Sequence, residues 1–206
     1  MSGMKARIAV LVSGGGTNLQ AILDAGARGE ISHGEVTLVI SDRAGAYALE
    51  RAKNAGIPAR EINKKACGGQ EAFEEQLTAL LEENRTDLIV LAGFLSILTE
   101  NFTAKYPRRI LNVHPSLIPS FCGAGFYGLK VHEAALERGV KLTGATVHFV
   151  NEIPDGGEII AQKAVEVRDG DTPEVLQRRV MEQAEWIILP ASVEKVSKEI
   201  MDIKKI

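Results

Sequence analysis

Short apolar runs alternate with amphipathic stretches through the first half of the chain, and this alternation restricts the folds open to it. Ile8–Val12 is an unbroken apolar run, as in a strand buried on both faces. It stops at Ser13-Gly14-Gly15-Gly16, and from Thr17 to about Arg28 the apolar residues Leu19, Ile22 and Leu23 recur at helical spacing. Val36–Ile40 predicts a second strand and Tyr47–Ala55 a second helix, which Gly56-Ile57-Pro58 ends. A short strand near Ala59–Ile62, an amphipathic helix over Glu71–Asn84 and a strand over Leu88–Ala92, closed by Gly93, come next. A short helix over Ile97–Tyr106 and a strand over Arg109–Val113 complete the series. Parallel strands need long crossovers, and helices supply them. The pattern predicts an α/β fold of three layers: a mostly parallel, doubly wound sheet with helices on both faces.

Beyond Leu129 the pattern changes. Lys130–Arg138 has helical spacing, Thr143–Val150 alternates apolar and polar residues, and Ile159–Val167 is a further strand. The turn residues Asp155-Gly156-Gly157 lie between these two strands, which predicts an antiparallel C-terminal pair. Thr172 is a good N-cap with Pro173 at the first helical position, so one last helix runs from there through Leu189-Pro190. No repeat, low-complexity segment or linker interrupts the 206 residues, which suit one domain over 1–206.

The net charge of −3 provides no basic footprint for nucleic acid. Cys67 and Cys122 lie far apart without metal-ligand spacing, which favours reduced thiols in a cytoplasmic protein. The start, Met1-Ser2-Gly3-Met4-Lys5-Ala6-Arg7, leads into an apolar run too short for a signal peptide, and no later run is long enough to span a membrane.

Chemistry concentrates at Ile110-Leu111-Asn112-Val113-His114-Pro115. In an extended strand Asn112 and His114 point to the same face, so an amide and an imidazole converge on one place. Pro115 and Pro119 stop the strand and stiffen the loop behind it. An amide donor beside a titratable imidazole suits a reaction that develops an oxyanion while a proton moves. A strand-end histidine that only hydrogen-bonds locally has the same residues. No second His or Cys lies at ligand spacing, so no metal is expected. His132, on a helix, reads as a surface residue, and His148, in the alternating strand, is left unassigned.

Ser13-Gly14-Gly15-Gly16-Thr17-Asn18-Leu19 joins the first strand to the first helix. Glycines allow close backbone approach to an anion, and a helix N-terminus offers free N–H groups. A dinucleotide fingerprint needs glycine where Leu19 stands, and a P-loop needs a Gly-Lys-Ser/Thr ending. A monophosphate fits better; a ligand-free tight turn has the same composition. By default Asp155 is a turn residue and Glu185 lies on a solvated helix face.

Together with Leu91-Ala92-Gly93-Phe94, Asn112-Val113-His114-Pro115-Ser116-Leu117-Ile118-Pro119 and Gly144-Ala145-Thr146-Val147-His148-Phe149-Val150, the glycine loop makes a chain that resembles the phosphoribosylglycinamide formyltransferases, a folate-dependent family. The resemblance covers about Lys5 to Pro190. It implies formyl transfer from 10-formyltetrahydrofolate, as cosubstrate, to the amine of glycinamide ribonucleotide in purine synthesis, without a metal. It implies Asn112, His114 and Asp155 as the catalytic trio. Gly15, Gly16, Thr17 and Asn18 would hold the substrate phosphate and Glu185 the ribose hydroxyls. Folate would lie against Phe94, Leu95, Ser96, Ile97 and Leu98, Asn112, and Asn151, Glu152, Ile153, Pro154 and Asp155. A phosphate-binding half over about 5–100 would adjoin a folate and catalytic half over about 93–190, in a monomer or homodimer. Two departures stand out. Ser96 occupies a position where many members have arginine, and residues 121–128 are glycine-rich where many have a shorter loop. Methionyl-tRNA formyltransferase shares the chemistry but has a further C-terminal domain and needs a basic surface. A non-catalytic nucleotide-binding module explains the glycine loop but not the trio.

Overall fold

The computed structural model describes residues 4–205, so Met1, Ser2 and Gly3 of the start lie outside it. Seven strands form one sheet in the order β3-β2-β1-β4-β5-β6-β7. They are β1 Ala6–Val12, β2 Gly34–Ser41, β3 Ala59–Glu61, β4 Leu88–Leu91, β5 Ile110–His114, β6 Leu142–Phe149 and β7 Ile159–Glu166. From β3 to β5 all pairings are parallel, and β5-β6-β7 pair antiparallel. The predicted mixed sheet is therefore observed.

The strand period of two builds the layers. Ile8, Val10 and Val12 of β1 enter one core, which α1 (Thr17–Ala27) and α8 (Trp186–Ile203) cover through Leu19, Ile22, Leu189 and Val193. Ala9 and Leu11 enter the opposite core with Phe73, Leu77 and Leu81 of α4 (Gln70–Glu83). Strand order reverses between β1 and β4, the position where open α/β sheets bind ligands beyond the carboxyl ends of their strands. Ser13 N–H donates to the Gly93 carbonyl there (3.1 Å), tying the two loops together.

Several elements differ from the sequence reading. The helix expected over Ile97–Tyr106 is only α5, Glu100–Thr103, begun by the Thr99 side-chain cap. Glu74 accepts from Thr99 N–H and hydroxyl, and Gln70 donates to the Ile97 carbonyl, so residues 97–99 are held as loop. After α2 (Tyr47–Asn54), Asn63 caps a further helix, α3 (Lys64–Cys67), that lacks apolar periodicity. The turn before β7 is Ile153–Gly156, closed by Gly156 N–H to the Ile153 carbonyl, with Pro154 second and Asp155 third at φ 55°. That is the sequence pattern of a type II turn rather than a two-residue Asp-Gly hairpin. The last helix is broken: α7 (Pro173–Val180) passes through a π turn, Met181–Glu185, into α8. Finally, His132, in α6 (Leu129–Arg138), is fully buried rather than on the surface.

Candidate active site

Strand β5 carries Asn112 and His114, and register brings partners to them. In the antiparallel β5–β6 pair Asn112 lies opposite His148 and His114 opposite Thr146, and directly opposed residues share a face. The loop after β6 then returns Asp155 over the pair. Its carboxylate is the hub: Oδ2 lies 3.5 Å from His114 Nδ1, and Oδ1 lies 3.5 Å from His148 Nε2 and 3.4 Å from Asn112 Nδ2. Asn112, His114 and Asp155, named together from sequence, are thus in one cluster.

The glycine-rich loop completes the cluster with backbone. The Phe121 carbonyl accepts from His114 Nε2 (2.9 Å), and Gly123 N–H donates to Asp155 Oδ2 (2.9 Å). The hydroxyl of Thr146 donates to the Ser116 carbonyl and accepts from Ile118 N–H, which fixes the proline loop between them. A carbonyl only accepts, so His114 carries hydrogen on Nε2.

Burial would raise the Asp155 carboxyl, but the imidazole rings beside it and the Gly123 N–H outweigh it and hold it below the usual carboxylate range. Cys122, half-buried in the same loop, is pushed up by burial and by Asp155. His132 is pushed down to about 4 by burial and by positive charge at His114, and neither of its ring nitrogens has a partner.

A cavity of about 120 Å³ opens beside the cluster. Phe94, Ser96, Ile97, Leu98, Asn112, Asn151, Glu152, Ile153, Pro154 and Asp155 line it, so the structure brings these residues of the expected folate set to one cavity. Leu91, His148 and Val150 line it too and were not singled out. Leu95 does not; its N–H donates to the Ser13 hydroxyl (2.8 Å) while its side chain is exposed. The Ser96 hydroxyl donates to Asp42 (2.6 Å). Two larger grooves, about 670 Å³ each, run along residues 49–61 and between the chain ends, and share no lining residue with this cavity.

Across the switch point lies the glycine loop. Gly16 is the N-cap of α1 in the left-handed region (φ 72°), so no side chain caps the first N–H groups of the helix. A Cβ on Gly16 would lie 2.6 Å from Ala48 Cβ, whereas Gly14 and Gly15 have open space around them. Gly16 is therefore required by packing, and Gly15 is the open position. Thr17 and Asn18 begin the helix, and Asn18 Nδ2 donates to Glu185 Oε2 (2.6 Å). Glu185 is buried, not solvated: the π turn rotates it inward, and burial pushes its carboxyl up to about 7 against the Asn18 hydrogen bond.

His148 is the residue sequence reasoning missed. It alternates with Thr146 along β6, and only the antiparallel pairing of β6 with β5 sets it opposite Asn112.

The chain matches the family model described as formyl transferase over residues 6–193. It is 46% identical to the human trifunctional purine biosynthetic protein adenosine-3 over 94% of this chain, and spans 18% of that protein's length. It is 42% identical to phosphoribosylglycinamide formyltransferase of Haemophilus influenzae, over 89% of this chain and 84% of that one. The solved glycinamide ribonucleotide transformylase 1 of Symbiobacterium toebii superposes with TM-score 0.89 at 45% identity, covering 96% of this chain and 90% of that chain. With a match from the first strand to the middle of α8, and the same fold in a protein of nearly half-identical sequence, the chain belongs to the formyl transferase family.

Proposed function

We propose that this chain transfers the formyl group of 10-formyltetrahydrofolate to the amine of glycinamide ribonucleotide. The observation that carries the reading is the Asp155 carboxylate within 3.5 Å of both the His114 imidazole and the Asn112 amide, at the mouth of the cavity lined by residues 94–98 and 151–155. Relatives named phosphoribosylglycinamide formyltransferase support the same reading.

10-Formyltetrahydrofolate supplies the one-carbon unit from its N10. The substrate amine attacks the formyl carbon, one N–C bond forms and the bond to N10 breaks. The amine loses a proton and N10 gains one. Asn112 donates a hydrogen bond to the oxygen that becomes negative. His114 supplies positive charge to the same oxygen, and Asp155, ionised across the working pH range, stabilises that charge and relays the proton. The first N–H groups of α1 with Gly15, Gly16, Thr17 and Asn18 hold the phosphate, and Glu185 receives the ribose hydroxyls. Residues 5–100 thus serve phosphate and residues 93–190 folate and catalysis, within one domain.

The test is formyl transfer to glycinamide ribonucleotide, followed by the absorbance change as the folate loses its formyl group. No transfer under conditions where the chain is folded, with transfer to methionyl-tRNA instead, would replace this reading by the tRNA-directed one.

A further inference from the structure

His148 has no part in the roles above, yet it touches both Asn112 and Asp155, and it is 1% exposed. Its two ring nitrogens are in different situations. Nδ1 lies 2.8 Å from the Phe149 carbonyl oxygen. A carbonyl only accepts, so Nδ1 carries a hydrogen. Nε2 lies 3.2 Å from Asn112 Nδ2 and 3.5 Å from Asp155 Oδ1. The amide nitrogen only donates and the carboxylate only accepts. One ring nitrogen cannot accept from the first and donate to the second at once. The amide contact is the shorter, and 3.5 Å is beyond a good hydrogen bond. Nε2 therefore presents its lone pair to Asn112, and Asp155 takes its hydrogen bond from Gly123 N–H, with the Asn112 amide a longer contact at 3.4 Å.

An Asn side chain has oxygen and nitrogen of nearly equal size, and its surroundings decide which faces where. Here a ring lone pair and a carboxylate oxygen both call for the NH2 group. With hydrogen on Nε2 instead, the ring would repel the NH2 group and favour the amide oxygen. We infer that His148 is a positioning residue. Held in its Nδ1–H tautomer by the Phe149 carbonyl, it fixes the Asn112 amide with NH2 toward the cavity. One amide hydrogen stays on Nε2, and the other, held only by the 3.4 Å contact to Asp155, is free to move to the developing oxyanion. The directly opposed register of Asn112 and His148 makes this contact a property of the sheet, not of a loop.

The effect on rate rests on the formyl-transfer reading; the hydrogen bond does not. Two measurements separate them. In ligand-free protein at neutral pH, ¹⁵N NMR should show His148, identified by the signals lost in H148Q, with Nδ1 protonated and Nε2 bare. An Nε2–H tautomer or a doubly protonated ring overturns the proposal. In kinetics, H148L fills the space without an acceptor, whereas H148Q can place its carbonyl oxygen near the Nε2 position. H148L should lower kcat on the order of 10²-fold, as misplacement of a reacting group does, with KM for both substrates nearly unchanged. H148Q should recover most of that loss. A near-normal kcat in H148L, or equal losses in both variants with wild-type melting curves, overturns the proposal. If H148L does not fold, the tautomer measurement decides. An inactive wild type would count against the formyl-transfer reading alone and leave the NMR result to judge the contact.

Discussion

Asn18 and Glu185 are bound side chain to side chain at 2.6 Å, joining the first turn of α1 to the last residue of the π turn 167 positions away. The link closes the glycine-loop side of the cleft with a carboxyl group whose burial pushes it from 4.5 up to about 7. The folded chain therefore keeps a proton through an interval in which the unfolded chain has lost it. Stability from this group is fully present below about pH 4.5 and is lost as pH rises through about 7. Glu185→Gln keeps an oxygen for Asn18 and removes the titration. It should raise stability relative to wild type by on the order of 1–3 kcal/mol at pH 8 and by little at pH 4.5. Thermal melts at the two pH values check this, and an equal offset at both would refute it. The same variant should raise KM for glycinamide ribonucleotide.

Asp155→Asn separates turn from chemistry. Asn tolerates the left-handed backbone at φ 55°, and its oxygen can still accept from Gly123. The melting temperature should barely move, while kcat falls by roughly 10²–10⁴-fold because the charge beside His114 is gone. The pH–rate profile should lose or shift the limb belonging to the His114–Asp155 pair as a unit. A variant with wild-type rate and profile would return Asp155 to being a turn residue only.

Asn112→Ala and His114→Ala should each lower kcat by roughly two orders of magnitude, with smaller changes in KM. They should differ in stability. His114 is buried and satisfies the Phe121 carbonyl, so its removal also costs about 1–3 kcal/mol, whereas half-buried Asn112 costs less. Steady-state kinetics and denaturant titration of both variants test the pair.

The glycines of the loop before α1 should respond differently. Gly16→Ala puts a Cβ against Ala48 at a positive φ, so it should destabilise the protein by about 1–2 kcal/mol or more and weaken both substrates together. Gly15→Ala has open space and ordinary backbone, so it should leave the melt unchanged and weaken only the phosphorylated substrate. A dephosphorylated substrate that binds as well as the nucleotide would show the loop to be a turn without a ligand.

His132 is buried with its pKa pushed down to about 4, so the unfolded chain takes up a proton near 6.5 that the folded chain refuses. Stability is present above about pH 6.5 and is lost as pH falls toward 4. His132→Leu should melt with less loss over that interval than wild type, and a parallel loss would rule out this residue as the cause.

Most of the sheet was legible because strands buried on both faces are written as apolar runs, and Ile8–Val12 and Leu88–Leu91 have little else to be. Asn112 and His114 were legible as a pair because strand period alone puts them on one face. Long-range burial was not. Glu185 and His132 lie on helices whose local spacing suits a wet face, and only packing against α1 in the first case and burial of the inner face of α6 in the second take them from water. His148 was unreadable because its role depends on register with β5, which no stretch of β6 encodes by itself. The shortened helix after Ile97 has a similar cause: Glu74, from another element, outbids the local helical hydrogen bonds of Thr99.

The π turn at Met181–Glu185 sets the angular phase of two helices that would otherwise be one. Each residue of an α-helix turns the chain by about 100°. Deleting one residue from this turn would restore α spacing and rotate α7, with its buried Leu176 and Val180, by about that angle against α8. Leu189, Val193 and Val196 hold α8 to the core, so the rotation could not be shared out along the chain. Chain length between residues 181 and 185 is therefore under tighter constraint than residue type, and even an ideal helix former inserted there would be out of phase.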